Sequence, residues 1–235
     1  MFTERQNTSL EILFEDNHLI AINKRCGDIV QGDKTGDKTI GDDIKAYLKE
    51  KYDKPGNVFL GVTHRLDRPT SGVLIFARTS KSLARMNELF RDDGSINKTY
   101  WAVVDIMPDP AVATLEHWLV RKEKQNKSFA YPKEQKESKK ASLSYRYLAS
   151  SDRFHLLEIE LHTGRHHQIR AQLAAIGLHI KGDLKYGFPR SDKDGGIHLH
   201  ARTIKFTHPV TQAVISITAP VPNDPVWKYF ENLPV

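Results

Sequence analysis

The sequence has a single cysteine, Cys26, among 235 residues. That excludes an intrachain disulfide framework and any cysteine-rich zinc or iron–sulfur centre, and makes a reducing cytoplasm the simplest compartment. No apolar run approaches the about 18–20 residues that cross a bilayer, so no membrane association is expected. The opening MFTERQNTSL lacks the apolar core of a secretory signal. There is no internal repeat, no Gly/Ser-rich linker and no convincing domain boundary, so residues 1–235 read as one domain. What the chain does have is 39% hydrophobic and 27% charged residues, enough apolar content for a folded core. Its formal charge of +6 is consistent with a polyanionic partner, nucleic acid above all.

Periodicity then sets the class. Leu10–Phe14 and Leu19–Lys24 read as short strands around the Asp16-Asn17 turn, and Val73–Ala77 as another. A helix is expected over Ile40–Tyr52, with Thr39 and Asp42 as a capping box and Ile40, Ile44, Tyr47 and Leu48 on one face. A second starts after Ser80 and lines up Leu83, Met86 and Phe90. From Thr99 to Thr218 the β-branched and aromatic runs TYWAVVDI, TLEHWLV, LSYRYLA, FHLLEIEL, HLHARTIKF and AVISIT read as strands. They are interrupted by a helix over His166–Ile176 that Gly177 ends, and a short helix from Pro225 follows them. Strands outnumber helices without βαβ alternation, which predicts an α+β fold with a large, mostly antiparallel mixed sheet flanked by helices and loops. Residues 122–140 stand apart. Seven Lys against three Glu, with Phe129 and Tyr131 but no apolar period, read as a solvated hairpin tip or an RNA-contacting arm.

Two stretches could carry chemistry. In THRLDRPTSG, Asp67 lies between Arg65 and Arg68, which favour its ionised form, and Pro69 and Gly72 mark irregular backbone before a strand. A loop salt bridge is the plainer reading. A kinase catalytic loop is excluded, because no Gly-rich phosphate loop or strand lysine with room for an N-lobe precedes it. In LHTGRHHQIR, three histidines crowd a strand-to-helix junction, but Arg165 and Arg170 would repel a cation and no acidic ligand is near, so no metal is expected. A helix N-terminus beside Arg165 and Gly164 instead suits an anion, either a substrate phosphate or a carboxylate such as Asp67. Tyr100, at a strand start beside Lys98, is either core or a stacking surface for a base. His198 and His200 share a face and read as structural or RNA-facing.

In these residues the sequence resembles the RluA family of RNA pseudouridine synthases. The resemblance runs in family order through ILFEDNHLIAINKRCG, THRLDRPTSGVLIFART, NKTYWAVV, ELHTGRHHQIRAQLAAIGLHIKGDLKYG and HLHARTIKFTHPVT. It implies the pseudouridine synthase catalytic fold and isomerisation of uridines to pseudouridine in structured ribosomal or transfer RNA, with no cofactor. It also implies roles. Asp67 is the catalytic aspartate, Arg170 its basic partner, and Tyr100 lies against the target base as a proton acceptor. Arg65 fills the stack when the uridine flips out and Leu173 lines the pocket. His64 and Arg165, from the same motifs, are expected to bind substrate. The chain departs from the family at Arg25-Cys26, where Pro-Ala is usual, and at His166, where Thr is usual. No separate N-terminal S4 domain, no obligate protein partner and a monomer are expected. The rivals are an RNA-binding protein without activity, which would not need Asp67, Tyr100 and Arg170 together, and a glycosidase, which would want two carboxylates flanking the bond.

Overall fold

A computed structural model describes residues 10–32, 36–92 and 94–233. In chain order, β1 (Ile12–Glu15) and β2 (Leu19–Lys24) form a hairpin, followed by α1 (Ile40–Lys51), β3 (Gly61–Val62), β4 (Ser71–Ala77) and α2 (Ser80–Arg91). Next come β5 (Ile96–Val104), β6 (Val112–Lys122), β7 (Lys127–Tyr131), β8 (Lys139–Ser150) and β9 (His155–Leu161). The chain closes with α3 (Gln168–Ala175), β10 (Leu199–Thr207), β11 (Val214–Thr218) and α4 (Pro225–Glu231). All eleven strands among the described residues share one sheet, ordered β1-β2-β4-β10-β5-β9-β8-β6-β7, with β11 also on β10 and β3 also on β4. Among the described strands only β4 and β10 run parallel, so the expected α+β class with a mostly antiparallel mixed sheet is what the chain adopts.

β4 explains how the layers form. All seven of its residues are buried, and its period of two divides them between two cores. Leu74 and Phe76 join Ile20 and Ile22 under Ile40, Ile44 and Leu48 of α1. Val73, Ile75 and Ala77 join Leu19 and Ala21 under Met86 of α2, on the opposite face. Both helices begin with a capping box, Thr39 with Asp42 and Thr79 with Ser82. Gly72, where β4 meets β10, has φ +113°, and a Cβ there would stand 2.3 Å from the carbonyl oxygen of Ala201. No other residue fits that approach without moving a strand.

Two expectations change. The segment 122–140 is not one long polar connection. Its middle is β7, the edge strand of the sheet, paired with β6 from Lys122↔Lys127 to Trp118↔Tyr131. Only the 3-10 turn Glu123–Gln125 and residues 132–138 are tips. β7 packs its small residues, Ser128 and Ala130, on the side of Ala171 and Ala174 of α3, so the strand carries no apolar period to read. The helix expected from His166 starts at Gln168, because His167 is left-handed, with φ 51°. Its other end is as expected. Gly177 has φ +80°, its N–H bonds Ala174 O at 3.1 Å, and Leu178 N–H bonds Leu173 O at 3.0 Å, a complete Schellman closure.

Candidate active site

The loop between β3 and β4 carries Asp67 and is pinned on several sides. Thr63 Oγ1 donates to Ile75 O at 2.7 Å, Gly27 N–H to Arg68 O at 2.9 Å, and Ile197 N–H to Pro69 O at 3.1 Å. Lys24, at the end of β2, is fully buried and points its ammonium at three carbonyls of this region: Arg25 (3.0 Å), Arg68 (3.1 Å) and Thr70 (2.8 Å). Burial pushes its pKa down to about 8. A lysine buried among carbonyls is tolerated because each N–H finds an acceptor. The result is a rigid turn, closed by Thr70 N–H on Asp67 O at 3.0 Å, that holds the Asp67 side chain a quarter exposed.

The opposite wall is the N-terminal end of α3. Gln168 locks the turn before it: its Oε1 accepts from Arg165 N–H (2.9 Å) and Thr163 Oγ1 (2.8 Å), and its Nε2 donates to Ser142 O (3.0 Å). Arg170, in the first helical turn, then reaches Asp67 Oδ2 through Nη1 at 2.9 Å. Its other edge lies flat on Asp183, with Nε to Oδ2 at 2.7 Å and Nη2 to Oδ1 at 2.9 Å. Arg170 and Asp183 are 5% and 1% exposed, a buried pair touching a half-open carboxylate. Burial works against the guanidinium charge, but the hydrogen bonds and charge of Asp183, with those of Asp67, outweigh it and raise its pKa. Asp67 therefore meets this end of α3 through the side chains of Arg170 and His167.

His167 Nε2 also faces Asp67 Oδ2, at 3.5 Å. Burial, with Arg170 adding to it, lowers the His167 pKa to about 3, so the imidazole is neutral. Its Nδ1 lies 3.0 Å from the Tyr186 hydroxyl, which in turn accepts from Ser128 N–H of β7 at 2.9 Å. The Tyr186 ring sits beneath the Arg170 guanidinium (5.0 Å) and the Lys127 ammonium (4.8 Å). Both contacts to Asp67 fall on Oδ2; among the described residues nothing bonds Oδ1.

Tyr100, on β5, is 9% exposed. Burial, then the charge of Asp67, raises its pKa, so its hydroxyl is protonated in the free enzyme and donates no hydrogen bond among the described residues. Leu173 is fully buried in the core cluster that also holds Tyr100 and Leu66, beneath the site rather than at its surface. Arg65 is exposed, with Nη1 on Gln31 Oε1 at 2.9 Å, and Arg165 is exposed, with Nε on Lys140 O at 3.1 Å. His64 Nε2 accepts Ile75 N–H at 3.1 Å, its ring stacks on Phe90 at 4.6 Å, and burial lowers its pKa to about 3. These contacts brace β4 against α2.

The other histidines of these motifs make internal contacts. His162 bonds Ser144 Oγ (2.8 Å), and His166 bonds Ser128 Oγ (2.9 Å) and Asn126 Oδ1 (3.1 Å). His198 and His200 are buried, not RNA-facing. His198 bridges Asp192 and Asp224 at 2.8 and 2.9 Å, and His200 bonds Ser71 Oγ at 2.8 Å. Residue spacing did not reveal Asp183, His167, Tyr186 or Lys24 as parts of the site. The available signals were a lysine closing the apolar run LIAIN and a carboxylate in the turn GDLKYG.

The fold is that of the pseudouridine synthases: human RNA pseudouridylate synthase domain containing 4 superposes with a TM-score of 0.79 over 94% of this chain and 92% of that one, at 24% identity. In sequence, the family model for RNA pseudouridylate synthases matches residues 18–175. The ribosomal large subunit pseudouridine synthase D of Zymomonas mobilis is 31% identical over 94% of this chain and 72% of its own length. The tRNA pseudouridine synthase C of Vibrio cholerae is 31% identical over 93% of each. The chain belongs to the RNA pseudouridine synthases, within the RluA family, and its reaction is the isomerisation of uridine to pseudouridine in RNA. Among the described residues no helix is long and apolar enough to cross a membrane.

Proposed function

We propose that this enzyme acts as a cytoplasmic monomer on uridines of structured transfer or ribosomal RNA, with Asp67 as the reacting group. The observation that carries the assignment is the asymmetric carboxylate: on a side chain a quarter exposed, Oδ2 is held by Arg170 at 2.9 Å and Oδ1 has no partner among the described residues. A carboxylate held through one oxygen is a nucleophile or base that a flipped ribonucleoside can reach. Extracting the base costs a few kcal/mol, and the exposed Arg65 guanidinium offsets this by filling the gap. Tyr100 forms the stacking wall, Leu173 supports it from below, and Arg165 and the lysines of 133–140 meet backbone phosphates. The glycosidic N1–C1′ bond breaks, the uracil turns and C5 bonds the same C1′; the C5 proton leaves to solvent and N1 takes one up, so the sum is an isomerisation.

The match to the tRNA synthase relative along 93% of both chains makes transfer RNA the first substrate to test. Transfer and ribosomal RNA transcribed with 5-tritiated uridine should release tritium, and pseudouridine mapping should place it at defined sites. Asp67→Asn preserves volume but removes the charge, and should lose activity by more than about 10³-fold while still binding RNA. Turnover within tenfold of wild type would withdraw Asp67.

A further inference from the structure

The guanidinium of Arg170 serves two carboxylates unequally. Asp183 takes Nε and Nη2 in a two-pronged pair, and Asp67 takes only Nη1, through only one oxygen. A planar fork bonded along one edge cannot swing, so Asp183 fixes where Nη1 points. It also places a second negative charge on the arginine. With Asp183 absent, the full charge of Arg170 would fall on Asp67, and a carboxylate neutralised that strongly is a weaker nucleophile and base. Asp183 is itself held rigidly. Its N–H bonds Ile180 O at 3.0 Å, and its own carbonyl accepts from Tyr186 and Phe188, both at 3.1 Å. The preceding Gly182 has φ +87°, where a Cβ would stand 2.7 Å from Gly196 O.

We propose that Asp183 is a positioning residue for the isomerisation: it aligns Arg170 by the two-nitrogen pair and offsets its charge, leaving Asp67 reactive. This rests on the reading of Asp67 as the reacting carboxylate. The other groups in electrostatic reach of Asp67 are His166 and His167 before α3, Tyr100 on β5, Lys24 on β2, and Lys185 and Tyr186 in the 3-10 turn after Asp183. None of them is altered by the change that tests the proposal.

The test is Asp183→Asn in the full-length enzyme, which keeps the shape and one acceptor but removes the charge. At saturating RNA, kcat should fall about 10–100-fold with KM within about twofold. The acid limb of the kcat profile should move down by about one pH unit, because removal of a neighbouring negative charge favours ionised Asp67. A purely structural Asp183 would lower the melting temperature and the folded fraction, leaving kcat per folded molecule and the acid limb where they were; that result overturns the proposal. If Asp183→Asn does not fold, Asp183→Ser is read in the same way, and failure of both to fold also counts against a positioning role. Wild type and Asp67→Asn are run alongside. A wild type that releases no tritium from any RNA overturns the underlying assignment instead, and is distinguishable at once.

Discussion

Truncating Arg170 should do more to stability than removal of one surface charge, and the structure says how much. Arg170→Ala leaves Asp183, 1% exposed, without either of its bonds at 2.7 and 2.9 Å. Breaking a buried ion pair from one side costs about 3–5 kcal/mol, since the remaining charge has neither partner nor water. At about 2–4 °C per kcal/mol for a chain of this size, the melting temperature should fall by about 6–20 °C. The uncompensated carboxylate, rather than the lost attraction, is the main cost. The double variant Arg170→Ala/Asp183→Ala should therefore be more stable than the single one by about 2 kcal/mol or more, while remaining inactive. The single variant should also gain stability relative to wild type as pH falls, because a lone buried Asp183 has a raised pKa and takes up a proton in the folded state. Urea unfolding followed by circular dichroism measures all three, with tritium release as the activity readout. A loss below about 1 kcal/mol for Arg170→Ala, or a double variant no more stable than the single, would refute this account of the pair.

Two further outcomes are expected. Tyr100→Phe should keep RNA affinity, since the ring remains, and slow turnover about 10²-fold if the hydroxyl handles a proton; unchanged turnover in single-turnover assays would leave the residue as a stacking wall only. His198 gives a pH dependence. Burial opposes its charge, but Asp192 and Asp224 outweigh that and raise its pKa, so its contribution is complete below its unfolded value of about 6.5 and is lost as pH rises through the folded one. His198→Gln should therefore be nearest to wild type in stability at alkaline pH and furthest from it below pH about 6; a wild type–variant gap that does not change with pH, in which any effect of Lys24 cancels, would contradict the bridge to α4.

Local rules were sufficient where one element carries its own signal. The capping box at Thr39, the unbroken apolar run of β4 and the glycine after α3 all mark their elements without reference to anything distant. β7 could not be read in this way. An edge strand packed on a helix through Ser128 and Ala130 needs small inward residues, and its outward Lys127, Phe129 and Tyr131 look like a loop. The site divides along the same line. Asp67, Tyr100 and Arg170 came from motif resemblance, whereas Asp183 became visible only when Arg170 was seen to have more donors than Asp67 accepts. His64 sits in the same motif as Asp67, but two of its contacts, with Ile75 N–H and Phe90, lie in elements further along the chain and could not be read from the motif.

The parallel seam between β4 and β10 bears on when the enzyme becomes active during its synthesis. Ser71, four residues past Asp67, is tied to His200, 129 residues later, and Arg170 reaches Asp67 across 103. Contacts so distant along the chain are made late, after the loops between them have closed. A ribosome-bound nascent chain holding only the first half of the sheet therefore has its aspartate but neither the arginine nor the strand that fixes the turn. The Asp67–Arg170 pair and the seam behind it are complete only after β10 has left the exit tunnel, so partial chains still attached to a ribosome, surrounded by its RNA, lack the assembled site.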